Sequence, residues 1–192
     1  MKLVVIIVLL LCAIVRADGL TYIPESNVPG QCAYIPVVHQ QQETKLCVPT
    51  AASMVFHLYG QDITPREIKL RSMDHDYNPK AKFHDYTFTK LQDIVPVAIE
   101  LGHREWRVQT YKADAHSLNA GFQQLKARLD SGNPSVVEVQ ADHVVLLIGY
   151  SNTQSSVFLD DPNKGLRAMS YAAFLHYWRN RDGLKWALLT QK

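Results

Sequence analysis

Apolar positions run with two different periods along this chain. In the stretch VPTAASMVFHLYG, Pro49 suits a first helical turn, Met54, Val55 and Leu58 follow at helical spacing, and Gly60 can close the helix. Thr64-Pro65-Arg66-Glu67 then joins a capping residue, a first-turn proline and a glutamate three positions on, which predicts a short second helix. Two more helical patterns run from about Thr87 to Leu101 and from Ser117 to Asp130. Pro96 is expected to break or kink the former, and Ser131-Gly132-Asn133-Pro134 ends the latter. Beyond that turn the period changes, and PSVVEVQ, HVVLLIGY, SVFLDDP and KWALLT read as strands. SYAAFLHYWRN interrupts them as an amphipathic helix.

Helices first and strands afterwards predict segregated layers, an α+β architecture with the early helices packed on an antiparallel sheet. Two stretches lie outside this pattern. From Asp18 to Thr44 the chain is rich in Pro, Gly and Gln and reads as an extended lead-in with one edge strand near AYIPVV. From Ser72 to Tyr86 it is polar and aromatic without a period, a surface loop placed to line a cleft.

The first residues belong to neither layer. MKLVVIIVLLLCAIVRA has Lys2, an apolar run and small-residue spacing up to Ala17, the pattern of a secretory signal peptide cleaved after Ala17. The run from Leu3 to Val15 is shorter than the ~20 apolar residues a membrane-spanning helix needs, so no span is expected in the mature chain. Leu11 before Cys12 argues against a lipoprotein. Residues 18–192 are expected to form a single domain, secreted or periplasmic, since 192 residues with 47% apolar content suffice for one core. The formal charge of +2 falls to zero once Lys2 and Arg16 are removed. No electrostatic basis for binding nucleic acid remains.

The mature chain keeps Cys32 and Cys47 in a compartment where disulfides persist, and their pairing is the simplest expectation from composition. Local sequence favours a different role for Cys47. A cysteine attacks a carbonyl carbon as thiolate, and a thiol of ordinary pKa about 8.5 is mostly protonated at neutral pH. Cys47 opens the first helix, whose N-terminus supplies partial positive charge. His143 begins the strand HVVLLIGY, where it is held rigidly and can serve as base. FLDDP offers Asp160 and Asp161 to orient it, and alternation along a strand lets only one of them face the histidine. Gln41, six positions before Cys47 and flanked by Gln40 and Gln42, can join the Cys47 backbone N–H in stabilising an oxyanion.

With these residues in view, GQCAYIPVVHQQQETKLCVPTAASMVFHLYG resembles the opening of the C39-like peptidases. These are papain-like enzymes whose pattern is a glutamine and then Cys-Gly-Pro-Ala/Thr-Ala on a helix. ADHVVLLIGY, VFLDDP and AFLHYW resemble the later His-apolar-Gly-Tyr strand, Asp-Pro turn and Phe-to-Trp helix, so the resemblance covers most of the mature chain. It implies Gln41 as oxyanion donor, Cys47 as nucleophile, His143 as general base and acid, and Asp161, directly before Pro162, as orienter, with Asp160 second. Val48 departs from the family's usual glycine and narrows the space beside the nucleophile. Cys32 is not part of the motif, and no transporter segment is expected here, whereas some relatives are fused to exporters that trim double-glycine leader peptides.

The expected activity is hydrolysis of a peptide or related amide bond in a peptide or protein substrate through an acyl-enzyme thioester. The rival from another class is a catalytically inactive papain-like binding module with Cys47 blocked or bonded to Cys32. Amide cross-linking or peptidoglycan amidase chemistry would use the same cysteine and histidine. No cofactor or metal is expected. His75 and His84 lie among Asp74, Asp76 and Asp85, but their spacing matches no ligand pattern and they read as solvated loop residues. Trp106, Tyr171, Phe174, Tyr177 and Trp178 read as core.

Overall fold

The strand-rich last third of the chain builds the sheet around which everything else packs. The structure is a computed structural model that describes residues 30–72, 88–140, 142–179 and 182–192. The signal-peptide stretch and nearly all of the Ser72–Tyr86 stretch lie outside the described residues.

In chain order the elements are β1 (Cys32–Tyr34), α1 (Cys47–Leu58), α2 (Pro65–Arg71), α3 (Leu91–Glu100), β2 (Arg107–Tyr111) and α4 (Ala115–Asp130). They continue with β3 (Ser135–Val139), β4 (His143–Ser151), β5 (Ser156–Asp161), β6 (Gly165–Ser170), α5 (Tyr171–Tyr177) and β7 (Lys185–Leu189). The sheet runs β2-β7-β3-β4-β5-β6, with every pairing antiparallel. β3 pairs with the first half of β4, and β1 with its last three residues, Gly149 to Ser151.

Alternation along the strands gives the sheet two apolar faces. Val136, Val144, Leu146, Ile148, Phe158 and Leu188 pack with α1 and α3, while Val137, Val139, Val145, Leu147, Leu159 and Leu189 pack with α4 and α5. The α+β expectation is therefore met, with one addition. The early helices cover one face, and α4 and α5 cover the other, so the sheet is a middle layer.

Helix α1 is buried along ten consecutive residues from Cys47 to Phe56. This explains its run of small and apolar side chains: a helix enclosed by sheet and neighbouring helices needs no polar stripe. Gly60, at φ +84°, ends the turn after it. Helix α2 starts on the expected capping box, in which Thr64 Oγ1 accepts the Glu67 N–H at 3.2 Å and the Glu67 carboxylate accepts the Thr64 N–H at 3.0 Å.

Pro96 does not end its helix, contrary to the break considered from sequence, and α3 continues through it to Glu100. The carbonyl that Pro96 leaves without an intrahelical donor belongs to Gln92, and both residues are exposed, so water can serve it. Buried Ile94, Val97 and Ala98 hold the helix down on either side.

Between Leu147 and Gly149 the β4–β5 register shifts. A Cβ at Gly149 would lie 2.6 Å from the Ala33 carbonyl oxygen and 3.1 Å from the Phe158 ring, so the close approach of β1 requires glycine there. Gly149→Ala is expected to lower stability by about 1–3 kcal/mol through overpacking, read as a shift in denaturant midpoint.

Candidate active site

Cys47 is the first residue of α1, and the helix start is left open. Leu46 in the N-cap position makes no side-chain cap bond, and no acidic residue sits in the first turn. The partial positive charge of the unpaired first-turn N–H groups is therefore available to a thiolate or oxyanion at Cys47. Lys45, at φ +62°, makes the tight turn into the helix.

His143 reaches this point from the start of β4. Its Nε2 lies 2.8 Å from Asp161 Oδ1, and the ring also shares a hydrogen bond with Cys47. With Nε2 occupied by the carboxylate, Nδ1 is the nitrogen left for the thiol. Burial of the half-buried ring would lower its pKa. The hydrogen bonds and charges of Asp161 and Cys47 outweigh burial and push it up to about 9. His143 is thus an imidazolium at neutral pH, the counter-ion a thiolate needs.

Asp161 is fully buried. Burial works to raise its pKa, but the hydrogen bond to His143, the Asn163 N–H at 2.9 Å and the charges of His143 and Lys164 hold it below the usual carboxylate range. Arg167 Nη1 stands 3.8 Å from its second oxygen. Strand parity explains why Asp161 and not Asp160 meets His143. Leu159 and Asp161 share one side of β5, Leu159 pairs with Leu147, and Leu147 shares its side of β4 with Val145 and His143. Asp160 projects oppositely and bonds His39 Nδ1 at 2.6 Å.

The three glutamines separate. Gln40 packs against α1, its amide 2.9 Å from His57 Nδ1 and 3.0 Å from Ser53 Oγ. Gln42 has a buried Oε1 without a partner among the described residues, and its backbone N–H donates to the Pro162 carbonyl at 2.8 Å. Gln41 is exposed, and its side-chain amide donates to the Asn163 carbonyl at 3.4 Å, a long bond that is easily exchanged.

Among the described residues neither Cys32 nor Cys47 forms a disulfide. Cys32 pairs with Ser151 at the far end of β4, whereas Cys47 meets His143 at the near end. The eight residue steps of β4 span about 26 Å at about 3.3 Å each, far beyond the roughly 7 Å limit between the Cα atoms of a disulfide. The pairing considered from composition is not formed, because the fold separates the two thiols.

A cleft of about 450 Å³ opens beside the thiol. Val48, Leu91, Val144 and Trp186 give it apolar walls, and Glu138 and Asp142 line it with Lys90. Val48, the departure from the family's glycine, is buried in the helix and forms the wall next to Cys47. Phe88, just after the undescribed stretch, is also part of the lining. The residues outside Cys47, Val48, His143 and Val144 carried no sequence signal, because a cleft wall is assembled from α3, β3 and β7 without a local pattern. Trp106, Phe174 and Trp178 are core, as read from sequence. The His75/His84 cluster lies outside the described residues. Among the described residues no group of three His, Cys, Asp or Glu side chains gathers to hold a metal ion, and no helix is long and apolar enough to cross a membrane.

A thiol at a helix mouth, a histidine at a strand start and a carboxylate on the next strand define the papain-like class of folds. Within it, the chain belongs to the Peptidase_C39 like family, whose sequence model matches residues 34–185. No curated protein matches the sequence. Among the solved structures that share the fold are three peptidase domains. A putative C39-like peptidase from Bacillus anthracis has a TM-score of 0.57 at 15% identity, covering 84% of this chain and 98% of that one. A double glycine motif protease from an AMS/PCAT transporter, solved with its leader peptide, has a TM-score of 0.56 at 14% identity, covering 83% and 95%. The peptidase domain of Streptococcus ComA, a bi-functional ABC transporter involved in a quorum-sensing pathway, has a TM-score of 0.51 at 22% identity, covering 83% and 98%.

Proposed function

We propose that this protein is a secreted cysteine hydrolase that cleaves a peptide or related amide bond, with Cys47 as nucleophile, His143 as base and acid, Asp161 as orienter and Gln41 as oxyanion donor. The observation that carries the reading is the hydrogen-bonded series Cys47–His143–Asp161 at the open end of α1. Cys47 Sγ attacks the carbonyl carbon, and the C=O electron pair moves onto oxygen beside the first-turn N–H and the Gln41 amide. Collapse expels the amine, which takes the proton held by His143. Water then resolves the thioester with neutral His143 as base. The fold relative solved with its leader peptide supports a peptide chain as substrate. Secretion rests on the Met1–Ala17 pattern.

The test needs no substrate. Iodoacetamide is expected to label Cys47 of the mature chain rapidly at about pH 6 and slowly in His143→Ala, because labelling follows the thiolate that imidazolium stabilises. A Cys47 that labels no faster than a free thiol would overturn the reading in favour of a binding module. For the oxyanion donor, Gln41→Ala is expected to lower kcat by on the order of 10²–10³. Damage from Gln40→Ala or Gln42→Ala instead, in steady-state kinetics, would move that role to the neighbour.

A further inference from the structure

The segment that carries the glutamines, from Ile35 to Leu46, lies outside any helix or strand, yet an oxyanion donor must be held to within a fraction of an ångström. Three contacts tie its middle to the end of β5 and the turn that follows: His39 to Asp160 at 2.6 Å, the Gln42 N–H to the Pro162 carbonyl at 2.8 Å, and the Gln41 amide to the Asn163 carbonyl at 3.4 Å. Gln40 ties it to α1 through His57 and Ser53. The His39–Asp160 contact is the shortest of these and the only one of the three made to a carboxylate. Asp160 is 2% exposed, and a carboxylate that deep in the fold is costly unless it is paired. It follows directly on the strand from Leu159 and precedes Asp161, so the end of β5 carries both the partner of His143 and an anchor for the loop of Gln41.

We propose that His39 and Asp160 form a positioning pair, a second His–Asp contact beside the one at His143, that holds the Gln40–Gln42 segment so that its amide donor faces the oxyanion. The inference rests on the hydrolase reading and adds to it a residue pair outside the lining of the cleft. Removing the pair frees the loop and leaves the Cys47–His143–Asp161 series in place, so oxyanion stabilisation is lost while thiolate formation is kept.

The two properties are separable with two probes. Iodoacetamide alkylation reads the thiolate. A peptide aldehyde, N-acetyl-leucyl-glycinal, reads the oxyanion site: Cys47 Sγ adds to the aldehyde carbon, the C=O pair moves to oxygen, and the proton held by His143 ends on that oxygen as the thiohemiacetal forms. His39→Ala is expected to weaken aldehyde binding by about tenfold or more while the alkylation rate at about pH 6 stays within about twofold of the parent. His39→Asn, which keeps a donor near the place of Nδ1, is expected to restore most of the affinity, and Asp160→Asn to match His39→Ala. Unchanged aldehyde affinity in His39→Ala would overturn the proposal. A parallel fall of both readouts would overturn it too, since that is the mark of general loosening. Slow alkylation in the parent chain would instead overturn the hydrolase reading, and this proposal with it.

Discussion

Cys47→Ala is expected to abolish hydrolysis, a loss on the order of 10⁶ in kcat, while the protein remains folded. In the proposed mechanism Sγ forms the thioester, and no other described nucleophile shares a hydrogen bond with His143, so the variant has no alternative route through the same base. Stability should change little. Cys47 lies at the cleft edge, alanine is the best helix former, and the first turn has no cap bond to lose. The measurement pairs product formation with a thermal melt. Retained hydrolysis in a variant with the parent melting temperature would overturn the assignment of the nucleophile.

Asp161→Ala is the second large effect, expected to lower turnover by on the order of 10²–10⁴ through loss of the imidazole's orientation and of its stabilising charge. The direction in pH follows from His143. Its pKa stands at about 9 because Asp161 and Cys47 outweigh the opposing burial. The proton delivered to the leaving amine is therefore present below about pH 9 and lost above it, so kcat/KM should fall on the alkaline side there. Without Asp161 the raised value drops towards the ordinary histidine range, and the alkaline limb should move to lower pH. Alkylation should slow as well, since less imidazolium supports the thiolate. Asp160→Ala should leave that limb and the alkylation rate alone, because Asp160 bonds His39 and not His143. A pH profile shifted by the Asp160 variant and not by the Asp161 variant would transfer the orienting role.

The same ion pair affects stability. The folded pKa of His143 lies above the unfolded value, so its contribution is complete below about pH 6.5 and disappears as pH rises through about 9. Asp161 has the opposite sign: its contribution is present above the ordinary carboxylate pKa and is lost as pH falls through the depressed value.

What could be read from the chain was whatever local chemistry repeats in a short window. The capping box at Thr64, the apolar period of α1, the strands HVVLLIGY and SVFLDDP and the placing of Cys47 at a helix mouth all follow from neighbours in sequence, and the structure has them. The two strands without a sequence expectation, β2 and β6, lie at the two edges of the sheet. Their residues are half-buried or exposed, so neither shows the alternation that a covered face imprints. The start of α4 was read two residues late because its cap, Asp114, precedes the apolar period. The missing donor of Pro96 alone predicts a break or a kink, whereas tertiary burial of α3 on both sides of it carries the helix through to Glu100.

Sequence by itself determined the residue types at the site and their local settings: a cysteine opening a helix, a histidine opening a strand, adjacent aspartates before a proline, and glutamines five to seven positions before the cysteine. The tertiary structure decided which of them meet. The choice between Asp160 and Asp161 depends on the register of β5 against β4, a pairing across sequence-distant residues that no window contains. The separation of Cys32 from Cys47 depends on β1 joining the far end of β4. The contact of His39 with Asp160 joins residues 121 positions apart, and only folding brings that loop to that turn. Local propensities act over a few residues, whereas strand register and loop placement are set by burying both faces of one sheet at once.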